Sequence, residues 1–247
     1  MESNRISNQG TAIEFIDSQT DNLCNQLPLV IVPGLSESAE DYIPLMNSIS
    51  FRCITISLRG RGGSAAPVTG YTLEDHISDI DSVIRHLELD SFVLMGFSRG
   101  VSYAIGYYFR NTGSIKGLII GDYPAQHTKL PLEWIEYFTA LPPWREKLLS
   151  ERMKAHAIHG IQKESSQVSF RDQLAHIDCP VLVIQGGKEG SALSRESKTE
   201  YQEQIRQLEL IVFEASAHNI FEPDLNVFKK TAETFMSKIV ETIQPSS

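Results

Sequence analysis

The sequence has only three cysteines, Cys24, Cys53 and Cys179, widely spaced and with no Cys-x-x-Cys pair. That excludes a disulfide framework and leaves no zinc-ligand spacing. Cys53 and Cys179 stand beside apolar runs and read as small buried hydrophobes. Positive charge is also scarce: 22 Lys and Arg against 31 Asp and Glu give a formal charge of −9. Such a surface repels phosphate backbones and anionic membranes, so neither nucleic acid nor membrane is an expected partner. Long apolar runs are missing as well. Residues 27–32 and 118–120 fall far short of the ~20 needed to cross a bilayer. The first ten residues contain no apolar stretch, so no signal peptide is expected, and the protein is expected to be soluble and cytoplasmic. With 41% hydrophobic and 21% charged residues, 16 Gly and 11 Pro, the chain is neither disordered nor fibrous.

What the sequence does contain is an alternation of short apolar runs with amphipathic helical patterns. Leu29-Val30-Ile31-Val32 and residues 53–56 read as strands covered on both faces. Thr72 and Asp75 have capping-box spacing, and the helix they open carries Leu73, Ile77, Ile80, Ile84 and Leu87 on one face. Strands follow at 92–97, 117–120, 180–185 and 208–213, with helices over about 98–110 and from about 223 onward. This rhythm predicts an α/β fold: a mostly parallel twisted sheet with helices on both faces. Residues 123–176 break the rhythm. They hold both tryptophans, show no convincing strand, and read as a helical cap inserted into a core formed by 1–122 and 177–247.

The strongest chemical signal is Gly96-Phe97-Ser98-Arg99-Gly100, placed between a strand and a helix. A serine on so sharp a turn is held in a strained backbone with its hydroxyl exposed. Glycines two before and two after avoid collision with the neighbouring strand and helix, and the helix start sets backbone N–H groups beside any oxyanion.

With that elbow in place, the chain resembles the α/β-hydrolase superfamily from about residue 13 to 243, in its small members with a helical cap. Val32-Pro33-Gly34-Leu35 resembles the strand and oxyanion loop of that family, and Arg59-Gly60-Arg61-Gly62-Gly63-Ser64 its Arg-Gly loop. Residues 179–186 resemble the strand leading to the catalytic acid, and 217–223 the loop carrying the catalytic histidine. Two positions depart from the pattern. Pro33 replaces the usual histidine and Ser57 the usual aspartate, which implies altered loop support.

The resemblance implies the chain order serine, acid, histidine. Ser98 is then the nucleophile and needs a base. Of seven histidines, only His218 follows a late strand on a short loop before the last helix. Glu189 stands at the spacing where the family usually carries its acid, with Asp122 after strand 117–120 as the alternative. The oxyanion would be held by the backbone N–H groups of Arg99 and Leu35. The Arg99 side chain reads as a surface ion-pair partner or as a contact to a substrate carboxylate. Trp134, Tyr137, Phe138 and Trp144 either line a substrate pocket, with Trp134 and Phe138 the named candidates, or form the core of the cap. His156 and His159 lie three apart but lack further metal ligands nearby.

The expected activity is hydrolysis of a small or medium apolar carboxylic ester, or of a thioester or lactone, through an acyl-enzyme, with no cofactor or metal. The expected partner is a small ester-like molecule, and the expected state a monomer or homodimer. Two alternatives stand beside it: a slow-turnover or non-catalytic ligand receptor on the same fold, and a C–C bond hydrolase or perhydrolase using the same serine.

Overall fold

An all-apolar run such as Leu29-Val30-Ile31-Val32 offers solvent nothing on either face, so it is stable only in the middle of a sheet covered on both sides. A computed structural model, which describes residues 1–19 and 27–243, places it there. Cys24 lies outside the described residues. In chain order the strands are β1 (Ser3–Asn8), β2 (Thr11–Asp17), β3 (Leu29–Val32), β4 (Cys53–Ser57), β5 (Phe92–Phe97) and β6 (Ile115–Gly121). There follow β7 (Gln126–His127), β8 (Val168–Ser169), β9 (Val181–Gly186) and β10 (Leu208–Phe213). Eight of them form one sheet in the order β1-β2-β4-β3-β5-β6-β9-β10. Pairing is antiparallel for β1 with β2 and β2 with β4, and parallel from β4 to β10.

The helices are α1 (Ile43–Ser48), α2 (Leu73–His86), α3 (Gly100–Tyr108), α4 (Trp134–Thr139), α5 (Leu149–Arg152), α6 (Ala155–Glu164), α7 (Arg195–Gln204) and α8 (Leu225–Ile243). Alternation along each strand divides the core in two. Val30, Val32 and Leu94 pack toward Ile77 and Ile80 of α2 and Val101 of α3. Leu29, Ile31, Val93 and Met95 pack toward Met46 of α1 and Phe228 and Phe235 of α8. The chain is an α/β protein with a mostly parallel sheet and helices on both faces.

α2 begins where its sequence says it should. The Thr72 hydroxyl accepts the Asp75 amide at 3.2 Å, and Asp75 accepts the Thr72 amide at 2.9 Å. Its aliphatic stripe is buried up to Ile84, and Leu87 serves as the C-cap. The helix expected from 98 starts only at Gly100, because Ser98 has φ of +51° and cannot join it.

Neither β2 nor, before it, β1 has a counterpart in the sequence reading. Five of the six residues of β1, Ser-Asn-Arg-Ile-Ser-Asn, are polar, as suits an edge strand. Its pairing is set by Gln9 and Gly10, both with positive φ (48° and 85°), which make a tight two-residue hairpin.

Residues 123–176 contribute α4, α5 and α6, and also a two-stranded ribbon of β7 with β8 that the sequence did not reveal. Strands of two residues have no period to read. Leu130, Met153, Ala157, Ile158 and Ile161 form a small core here against Tyr71, with Trp134 and Phe138 partly buried on it.

Candidate active site

Ser98 and Asp122 are each held at the C-terminal edge of the sheet by a strand end. Ser98 follows β5 directly. Its amide donates to the Gly121 carbonyl of β6 at 2.9 Å, and its carbonyl accepts the Val101 amide at 2.9 Å, which fixes the turn. The flanking glycines are required by contact. A Cβ at Gly96 would stand 2.5 Å from the Val101 Cα, and one at Gly100 would overlap the carbonyls of Val32 and Pro33.

His218, on the loop between β10 and α8, meets this serine. Its Nε2 lies 2.8 Å from Ser98 Oγ and its Nδ1 2.8 Å from Asp122 Oδ2. With Nδ1–H donating to the carboxylate, Nε2 is free to accept the serine proton. The Phe97 ring stacks on the imidazole at 5.1 Å between centroids.

The acid at this imidazole is therefore Asp122 and not Glu189. Asp122 is completely buried, and its Oδ1 accepts the Gly186 amide at 3.0 Å and the Ser191 hydroxyl at 2.6 Å. Oδ2 accepts the Ala192 amide at 2.8 Å beside His218. Burial pushes the Asp122 carboxyl up, but hydrogen bonds from His218, Ser191, Gly186 and Ala192 outweigh it and hold the group below its ordinary value. Glu189 is exposed on the loop after β9. The Gly186-Gly187 pair does not set Glu189 back toward the histidine, as the sequence allowed. Gly186 is small because the Ala217 carbonyl beside His218 packs onto it. The segment that the sequence took as the source of the acid instead supplies three donors to it.

The loop at 33–37 closes the other side. A Cβ on Gly34 would be 3.3 Å from Ser98 Cβ, so this backbone runs against the serine. Neither the Leu35 nor the Arg99 amide donates to a protein acceptor among the described residues. Arg61 Nε donates to the Leu35 carbonyl at 2.8 Å, bracing that residue from behind. Ser57 is supported from β2: it donates to Glu14 Oε2 at 2.9 Å, and the same oxygen accepts the Gly63 amide at 2.7 Å.

The Arg99 side chain belongs to neither of its expected environments. It is buried and donates to Tyr103 Oη (3.2 Å), the Thr128 carbonyl (3.0 Å) and His127 Nε2 (3.0 Å). Burial, helped by Arg99, pushes His127 down to about 3. Burial, then Arg61, likewise holds His76 well below its ordinary value. Both imidazoles are thus neutral acceptors for buried guanidinium groups.

Ser98 and His218 open into a cavity of about 350 Å³ whose walls are mostly apolar, with Leu35, Phe97, Phe138, Leu141, Trp144 and Leu149 among them. Phe138 lines it as the sequence allowed. Trp134 does not; it stacks behind Phe138 at 4.5 Å. Tyr137 is exposed, and Trp144, 6.3 Å from the His218 ring, forms the roof. A larger depression of about 770 Å³ lies at the opposite end of the sheet, around Phe51, Leu89 and Val240, far from these groups. Among the described residues no cluster of three or more His, Cys, Asp or Glu is arranged to hold a metal, and no helix is long and apolar enough to cross a membrane. Burial pushes the Cys53 thiol up to about 12 and that of Cys179 to about 11, as inert core residues.

The model of the alpha/beta hydrolase fold matches residues 28–176. The chain belongs to the α/β-hydrolase fold family. The AB hydrolase superfamily protein YisY of Bacillus subtilis is 28% identical over 230 residues, covering 78% of this chain and 85% of its own. A non-heme chloroperoxidase of Streptomyces lividans is 24% identical over 254 residues, covering 83% and 92% respectively. Among solved structures, an esterase from Exiguobacterium antarcticum superposes with a TM-score of 0.78 at 23% identity, covering 96% of this chain and all of the other. Trp144 was among the aromatics singled out from the sequence, whereas Glu37 and Ser191 were not.

Proposed function

We propose that this protein is a serine hydrolase of small or medium apolar carboxylic esters. The observation that carries the reading is the unbroken line Ser98–His218–Asp122, two contacts of 2.8 Å, opening into an apolar cavity. His218 takes the proton of Ser98 as the hydroxyl attacks the ester carbonyl, and Asp122 stabilises the imidazolium. The carbonyl oxygen, negative in the tetrahedral intermediate, is held by the Leu35 and Arg99 amides. His218 then protonates the departing alkoxide, and water, deprotonated by the same imidazole, releases the acid from Ser98. The apolar walls favour an acyl or alcohol group without charge. Residues 123–176 act as the cap that supplies the roof.

The test is a fluorophosphonate probe with a panel of 4-nitrophenyl esters. The probe should label Ser98, and Ser98→Ala should lower kcat by roughly 10³-fold or more. Labelling elsewhere, or full activity in the variant, would sink the reading. A second reading is supported by the chloroperoxidase relative. Hydrogen peroxide would attack the acyl-serine in place of water and give a peracid; peroxide-dependent bromide oxidation in acetate buffer distinguishes it.

A further inference from the structure

Glu37 is a buried carboxylate on the cavity wall, 3% exposed, that the reaction as described does not use. Its two oxygens face different parts of the molecule. Oε2 accepts the Gly34 amide at 2.9 Å and the Tyr42 hydroxyl at 2.7 Å, both from the core side of the site. Oε1 accepts the indole N–H of Trp144 at 2.9 Å and pairs with Arg145 Nε at 3.2 Å, both from the roof. Gly34 is the residue whose backbone runs against Ser98, and Trp144 is the roof residue beside His218. The roof is further tied down by Arg145 Nη1 on the Asp41 carbonyl at 2.6 Å and by its guanidinium over the Tyr42 and Phe221 rings, 5.1 and 4.9 Å from their centroids. Arg145 and Glu146 carry this segment through two consecutive positive φ values, 50° and 65°. Non-glycine residues hold that backbone only when the surroundings fix it.

We propose that Glu37 is a positioning residue that couples closure of the Trp144–Arg145 roof to the geometry of the oxyanion loop. A carboxylate can satisfy both sides at once because each oxygen has its own donors. A glutamine cannot, since it has one acceptor oxygen and its amide nitrogen would face donors. The proposal rests on the hydrolase reading for its catalytic consequence but not for the latch itself.

Two measurements separate these. In a Trp134→Phe background Trp144 is the sole tryptophan, and Glu37→Gln should shift its emission to the red and raise its quenching by acrylamide; unchanged emission and quenching overturn the latch whether or not the protein hydrolyses esters. For the coupling, Glu37→Gln should lower kcat by roughly 10–100-fold on the shortest ester, with KM changed less than about threefold. Trp144→Phe, which keeps an aromatic ring in the wall and removes the indole N–H with part of the ring system, should also lower kcat on that ester, and the double variant should be no worse than Glu37→Gln alone. Losses that multiply in the double variant, or a Trp144→Phe effect confined to long esters, overturn the coupling. If wild-type protein neither turns over esters nor reacts with the serine probe, the hydrolase reading fails and the coupling with it, while the emission still decides the latch.

Discussion

Asp122 and Glu189 follow the C-terminal ends of β6 and β9, which are neighbours in the sheet. Their surroundings differ in every respect that matters to an acid. Asp122 is one residue past its strand, completely buried, with four hydrogen-bond donors. Glu189 is three residues past its strand and exposed. A burial that would by itself neutralise a carboxyl is tolerated at Asp122 because every lone pair in use is matched. Distance from a strand end proposes where an acid can stand; donors from a second loop decide where it does.

The sharpest way to break the comparison is Asp122→Asn. The amide cannot stabilise the imidazolium, and its NH2 can favour the wrong imidazole tautomer, so kcat should fall by roughly 10⁴-fold with KM little changed. The same variant tests the charge. Because the folded carboxyl titrates below its ordinary 3.8, its stabilising contribution is fully present above about pH 4 and is lost as pH falls through the folded value. Wild type should therefore lose stability from pH 5 to pH 2 more steeply than Asp122→Asn in urea titrations. Parallel curves would mean the hydrogen bonds do not favour the charged form.

Ser191→Ala sharpens it further. This removes one short, charge-assisted donor and leaves the amides of Gly186 and Ala192 in place. The cost should be about 1–3 kcal/mol in stability and no more than roughly tenfold in kcat, read by denaturation and by ester turnover. A loss as large as that of Asp122→Asn would show that Ser191 and not the amides holds the acid.

The same contrast explains what was legible in the sequence. β3, β5 and β10 could be delimited from apolar runs, and the elbow at Ser98 from two glycines whose contacts leave no room for a Cβ. His218 could be singled out as the one histidine on the last loop. The acid could not, because two of its donors are backbone amides and amides carry no residue signature. β1 escaped notice as a polar edge strand, β2 because a buried Glu14 interrupts its apolar residues, and β7 and β8 as pairs of residues too short to show a period. Arg99 was misplaced for a related reason: its partners Tyr103, His127 and the Thr128 carbonyl assemble only when the segment after β6 folds back over α3.

The smallest expected effect is the most direct test of the ranking. Glu189→Gln changes one charge on an exposed side chain that makes no hydrogen bond or ion pair among the described contacts, so kcat should stay within about twofold of wild type. Nor should Glu189 stand in for the missing acid. The backbone on either side of it is pinned, with the Lys188 amide donating to the Ser216 carbonyl at 2.9 Å and the Ala192 amide to Asp122 at 2.8 Å. Moving the Glu189 carboxylate to His218 would break those contacts and bury a charge that is now in solvent. The double variant Asp122→Asn/Glu189→Gln should thus match Asp122→Asn in kcat and in pH profile. A further tenfold loss in the double variant would show that Glu189 reaches the imidazole after all, and that the loop after β9 can move to bring it there.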